Sequence, residues 1–231
     1  MPQSDISTWL QFALQQMAAE SYLQGIALTN DADIITRLKL GNNNPLLNDP
    51  NSPILSGKTR FVDLSGVPGA NQVVGSAQAF VSRYDIIDHH ANDATGFSAT
   101  LMRDITTGEY TLSFRSTEFQ TQVNGGDRER DGFGADLEIT SDGFAFGQLV
   151  AMEAYYQQLK ADPTKLPPGT VLNVTGYSLG GHLATVFTEL HSADIQHTYT
   201  FNAAGQGLVG GISEETGTFY ISKRLEAVCM R

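Results

Sequence analysis

The 231-residue sequence predicts an α/β domain, with a sheet whose central strands are parallel and whose faces carry helices. Three observations lead there. Strand and helix signals alternate as β, α, β, α, β over the second half of the chain. The run Val171-Leu-Asn-Val-Thr-Gly-Tyr-Ser178-Leu-Gly-Gly-His-Leu-Ala-Thr-Val-Phe187 passes from a buried apolar strand, through a glycine-pinched turn, into an apolar-faced helix. No Pro- or Ser-rich linker divides the sequence, so residues 1–231 read as one domain: N-terminal helices and an irregular segment over 1–75, a core over 76–210 and a tail over 211–231.

Taken in order, Ile6, Trp9, Leu10, Ala13, Leu14 and Met17 recur at helical spacing and predict an amphipathic first helix that faces the core. Its polar face holds no Lys or Arg, which argues against a membrane-surface anchor. Asn30-Asp-Ala-Asp33 offers a capping oxygen and first-turn carboxylates to a short helix through Ile34, Ile35, Leu38 and Leu40, ended by Gly41. Residues 42–72, rich in Asn, Pro and Gly, read as a surface excursion able to supply rim or lid elements. A helix over 76–83 leads to a strand at Tyr84-Asp-Ile-Ile-Asp88. The runs 97–103 and 110–114 flank Thr106-Thr107-Gly108 as an antiparallel hairpin. Over 141–160, Phe144, Gln148, Met152, Tyr155, Tyr156 and Leu159 suit a helix lying on the sheet, and Pro163, Pro167 and Pro168 mark the following loop. A last strand over 198–201 closes with Asn202-Ala-Ala-Gly205-Gln-Gly207.

Composition excludes several classes of function. Fourteen basic against 25 acidic residues give a net charge of -11, which repels phosphate backbones, so nucleic acid is not an expected partner. Cys229 is the only cysteine, so neither an intrachain disulfide nor a cysteine-ligated zinc site is available. No transmembrane segment, cofactor or metal is expected. The first residues lack the basic stretch and unbroken apolar run of a secretory signal, and the compartment stays open.

The chemistry concentrates on Gly176-Tyr177-Ser178-Leu179-Gly180. A chain reversing sharply between strand and helix holds Ser178 in a strained conformation with its hydroxyl pushed outward, and glycines two residues either side let strand and helix approach. The N–H of Leu179 then lies at a helix N-terminus, where it can meet a developing oxyanion. Ser178 is the candidate nucleophile. Upstream, Asp85-Ile-Ile-Asp88-His89-His90-Ala-Asn-Asp93 gathers potential ligands, but adjacent histidines on a strand point to opposite faces, and the histidine pair reads as a solvated loop. The stretch from Asn124 to Gly134 mixes charges around glycines without the Gly-Lys-Ser/Thr ending of a phosphate-binding loop, and reads as a surface loop.

Three segments follow one pattern: a strand ending Phe114-Arg115-Ser116-Thr117, the Val-Thr-Gly-Tyr-Ser-Leu-Gly-Gly-His-Leu-Ala elbow after an intervening helix, and a strand ending Thr-Phe-Asn-Ala. Over roughly 76–210 this resembles the class 3 lipases of the α/β-hydrolase fold, and is most similar to bacterial lipase-type proteins whose long forms carry calcium-binding repeats. The resemblance implies acyl transfer on an acyl-ester or lipid substrate, with Ser178 as nucleophile and the N–H groups of Leu179 and Thr117 as oxyanion donors. Ser116 stands where the family has glycine. Asp136 resembles a structural aspartate of the family.

The resemblance also implies a carboxylate and then a histidine after the serine. Downstream of Ser178 lie His182, His191 and His197, with Glu189, Asp194, Glu214, Glu215 and Glu226, and none stands where the pattern requires it. The expectation is a domain truncated at the C-terminus, lacking its last strands, with an exposed sheet edge that favours a homo-oligomer. Such relatives can be exported by a C-terminal signal. The alternative is a non-catalytic, lipase-like binding or interaction module.

Overall fold

The computed structural model describes residues 3–41, 60–117 and 144–205, together with Ala135 and Ile139. Five strands form one sheet in chain order: β1 (Tyr84–His90), β2 (Ala99–Asp104), β3 (Tyr110–Phe114), β4 (Leu172–Tyr177) and β5 (Ile195–Phe201). The junctions β1/β2 and β2/β3 are antiparallel, while β3/β4 and β4/β5 are parallel. Connections explain the change of sense: a short turn over 105–109 suffices for a hairpin, whereas α4 (Phe146–Ala161) and α5 (Leu179–Leu190) are the crossovers that return the chain for parallel pairing. The α/β fold expected from the sequence is the fold observed. Among the described residues β1 and β5 are the two edge strands, and no helix is long and apolar enough to cross a membrane.

Side chains alternate between the two faces of the sheet. Ala99, Leu101, Leu112, Phe114, Leu172 and Val174 point toward α4 and α5, where Met152, Tyr156, Leu183 and Phe187 complete the main core. Tyr84, Ile86 and Met102 turn the other way, against residues of α1 (Gln3–Ala19), α2 (Asp31–Leu40) and α3 (Ala77–Val81). The helix ends follow local chemistry. Asn30 caps α2 by accepting from the Ala32 N–H at 3.1 Å, and Gly41, at φ 72°, ends it. Ser76 likewise caps α3 by accepting from the Ala79 N–H at 3.0 Å.

Several expectations are corrected. The helix expected over 76–83 is only the five residues of α3, and the one expected from 141 begins at Phe146, leaving Phe144 ahead of it. His89 and His90 are not a solvated loop but the last, half-buried residues of β1. The largest correction is the rotation of α1. Ile6, Trp9 and Leu10 are 59%, 41% and 46% exposed, while Phe12, Gln15, Gln16, Ala18 and Ala19 are buried. The facing sheet surface near β3 is polar, and Gln16 matches it by donating to the Phe114 carbonyl (3.0 Å) and accepting from the Ser113 hydroxyl (2.7 Å). A hydrogen-bonding pair therefore outweighs the apolar stripe in setting the orientation. Trp9 still packs edge-on against Tyr199 and Phe201 of β5.

Of the excursion expected over 42–72, the described part holds a bridge between Val62 and Ser76 and a 3-10 turn at Ala70–Gln72. Residues 42–59, the charged stretch from Asn124 to Gly134, Asp136 and the tail beyond Gly205 lie outside the described residues.

Candidate active site

The parallel strands β3, β4 and β5 end at the same edge of the sheet, and β1, two antiparallel steps from β3, ends there as well. Ser178 sits on that edge between β4 and α5, with φ 51° and ψ -118°. These angles are those of the first central residue of a type II′ turn, a position glycine normally fills because a Cβ is strained there. Among the described residues only Ser178 and Asn202 are non-glycines with positive φ. Three backbone hydrogen bonds hold the strained residue: its N–H donates to Phe201 O (3.1 Å), and its carbonyl accepts from His182 N (3.1 Å) and Ala204 N (2.9 Å). The Asn202–Gly205 segment thus braces the turn from the side of β5.

The flanking glycines are sterically required. A Cβ on Gly176 would run into the carbonyl of Gly180, and one on Gly180 into the carbonyls of Phe114 and Arg115. One on Gly181 would come within 2.6 Å of the Ala203 Cβ. Strand β4, helix α5 and the segment leaving β3 therefore meet backbone to backbone. The Ser178 side chain, half-buried, neither caps the helix nor hydrogen-bonds to any described residue. Leu179 is the first residue of α5. Its side chain is buried with Ala135 and Ala145, and its N–H has no partner among the described residues, as expected for a first-turn amide at the positive end of a helix dipole. Contact between Arg115 and Gly180 carries the 115–117 segment alongside that terminus, with Thr117 half-buried two residues on.

All five histidines of the chain lie among the described residues, and none of their rings hydrogen-bonds to the Ser178 hydroxyl. His182 is fully buried, its ring against Phe144 and its Nε2 3.5 Å from the Ala145 N–H. Burial lowers its pKa to about 4; the Gly205 backbone opposes the shift, although Nδ1 forms no hydrogen bond of ordinary geometry. His89 lies on β1 with Nδ1 3.0 Å from Thr100 Oγ1, and burial, followed by the positive charge of Arg115, lowers it to about 3. His90 points to the opposite face, toward Asp93 at 3.2 Å and the rings of Phe97 and Tyr155. Three strand spacings separate β1 from β4, roughly 14 Å, too far for proton transfer to Ser178. His191 closes α5, paired with Glu153 at 2.7 Å and about 20 Å along the helix from the serine. His197 pairs with Asn173 toward the opposite edge of the sheet.

Among the described residues, no three His, Cys, Asp or Glu side chains converge as a metal site would need. An apolar groove of about 560 Å³, lined by Phe146, Leu149, Val150, Glu153, Ala154, Leu190 and His191, lies beside the C-terminal end of α5. The residue that the sequence did not single out is Glu20. It is buried at the exit of α1, and its carboxylate accepts from both the backbone N–H and the hydroxyl of Ser116. The only sequence signal was Ser116 itself, a residue with a side chain that needs a partner where the lipase pattern has none.

No protein-family model matches the chain, and no curated protein matches it either. Among solved structures, it is similar to the Lip2 lipase of Yarrowia lipolytica, with a TM-score of 0.45 and 13% identity over 90% of this chain. The match covers 62% of that lipase, so the chain spans less than two thirds of its length.

Proposed function

We propose that this chain carries the nucleophile and oxyanion donors of a serine carboxylic-ester hydrolase of the lipase or esterase type, in the manner of the class 3 lipases its sequence resembles. The observation that carries the reading is Ser178 itself: a non-glycine residue at φ 51°, ψ -118°, braced by three backbone hydrogen bonds, with a hydroxyl that bonds to nothing described. Strain of this kind costs on the order of 1 to 3 kcal/mol and persists where function needs it.

In the proposed reaction, Ser178 Oγ forms a bond to the ester carbonyl carbon as its proton leaves. The carbonyl oxygen gains negative charge and is met by the N–H groups of Leu179 and Thr117. Collapse of the tetrahedral intermediate breaks the bond to the leaving alcohol, which takes up a proton. Water then hydrolyses the acyl-enzyme and returns Ser178. No imidazole of this chain hydrogen-bonds to the hydroxyl, so the proton passes to solvent. Loss of the histidine from such a triad lowers kcat on the order of 10⁶-fold, and turnover by this chain is correspondingly slow.

The same arrangement of histidines favours a second reading, a lipase-like binding module that keeps the elbow for its fold. A fluorophosphonate probe separates the two. Phosphonylation of Ser178, absent in Ser178→Ala and accompanied by slow hydrolysis of p-nitrophenyl esters, is expected of the hydrolase. A folded wild-type chain that neither labels nor turns over ester would favour the module.

A further inference from the structure

We propose that Glu20 is a positioning residue for the oxyanion loop, holding Ser116 so that the neighbouring Thr117 N–H faces the carbonyl attacked by Ser178; this rests on the hydrolase reading above. Glu20 Oε1 accepts from the Ser116 N–H at 2.9 Å, and Oε2 accepts from the Ser116 hydroxyl at 2.8 Å. Holding an amide and a hydroxyl of one residue with the two oxygens of one carboxylate fixes both the position and the orientation of its Cα. The Thr117 N–H is then a single backbone rotation away.

The grip extends along the whole exit of β3. Gln16, one turn before Glu20, donates to Glu20 Oε1 (2.7 Å) and to the Phe114 carbonyl (3.0 Å), and accepts from the Ser113 hydroxyl (2.7 Å). The Arg115 guanidinium donates to the Glu20 carbonyl at 3.2 Å and lies 4.4 Å over the Tyr22 ring. Residues 113–116 are thus each tied to α1 or its exit, on the opposite side of the strand from α5. Packing alone gives no reason for this arrangement. A carboxylate buried to 7% exposure is costly unless every oxygen is paired, and an apolar residue of similar volume would fill the space without that cost. Burial raises the Glu20 pKa, while Arg115, Ser116 and Gln16 favour the charged form. What the carboxylate supplies, and an apolar residue cannot, is a fixed direction for the loop.

The test measures fluorophosphonate labelling of Ser178, separating the limiting labelling rate from the probe concentration at half-maximal rate, together with the thermal unfolding midpoint of each variant. Glu20→Ala should lower the limiting rate about 10-fold while half-saturation changes less than about two-fold, because a misplaced donor weakens the charged state rather than probe binding. Glu20→Gln, which retains an oxygen and an amide able to reach both Ser116 groups, should keep most of the rate. Ser116→Ala, which loses the hydroxyl contact alone, should fall between wild type and Glu20→Ala, and it carries the test if Glu20→Ala does not fold. Folded Glu20→Ala and Ser116→Ala proteins that label at the wild-type rate, whatever their midpoints, would overturn the positioning role and leave the nucleophile assignment standing. Wild-type protein that does not label would overturn both.

Discussion

Replacing Ser178 by glycine should make the protein more stable while abolishing labelling. At φ 51° and ψ -118° the serine Cβ is strained by about 1 to 3 kcal/mol, and glycine removes that strain. Glycine also frees the unfolded chain, which costs roughly 0.5 to 1 kcal/mol. The hydroxyl makes no hydrogen bond to a described residue, so its loss adds little. The net gain is centred near about 1 kcal/mol, with an upper limit of about 2.5 kcal/mol, which for a chain of this size raises the unfolding midpoint by roughly 2 to 4 °C and by no more than about 10 °C. The reference is Ser178→Ala, which also lacks the nucleophile but keeps the Cβ. Both variants and wild type are compared by urea and thermal unfolding, with probe labelling in parallel. If Ser178→Gly is no more stable than Ser178→Ala, the elbow is not strained in solution, and the physical basis for an activated serine disappears.

The flanking glycines and the buried histidines give two further tests. Gly180→Ala puts a Cβ about 2.7 Å from the Arg115 carbonyl oxygen and into that of Phe114, so it should cost about 1 to 3 kcal/mol and abolish labelling by parting α5 from the 115–117 segment. Gly147→Ala, whose Cβ meets only Thr95 at 3.8 Å, is the matched control and should stabilise α4 slightly; equal effects from the two would refute the close-approach account. Stability should also fall as the solution is acidified from pH 7 to 5. His182 and His89, at about 4 and 3 when folded against 6.5 unfolded, stay neutral in the native state while the unfolded chain takes up protons, so each contributes a loss of about 2 kcal/mol over that range. Glu20, raised by burial, acts in the opposite sense and loses stability as pH rises through its folded value. His182→Gln should flatten the urea-midpoint profile, and an unchanged profile would show that the ring is not held neutral.

Much of the fold was legible because its signals are local. Asn30 and Gly41 bound α2 through contacts within one turn, the hairpin of β2 and β3 follows from two β-rich runs around Thr106-Thr107-Gly108, and the elbow glycines are needed by steric contacts that the strand-turn-helix path already demands. Misreadings occurred where a local pattern met a distant surface. The stripe Ile6, Trp9, Leu10 is helical in spacing, yet the buried side of α1 was chosen by Gln16 meeting Ser113 and Phe114, nearly a hundred residues away. His89 and His90 resembled a polar loop because two adjacent histidines look the same in sequence whether or not Thr100 and Asp93 stand beside them.

The sequence by itself determined that strand, turn and helix meet at Ser178, that the net charge is -11, and that the downstream histidines fall at positions unsuited to serve that serine. These are consequences of short-range sterics, charge count and residue order. Tertiary structure alone decided that the carboxylate of Glu20 closes on Ser116, that His182 is sealed against Phe144, and that all five imidazoles lie away from the Ser178 hydroxyl. Such contacts join residues far apart in the chain, and their geometry exists only once separate helices have packed against the two faces of the sheet.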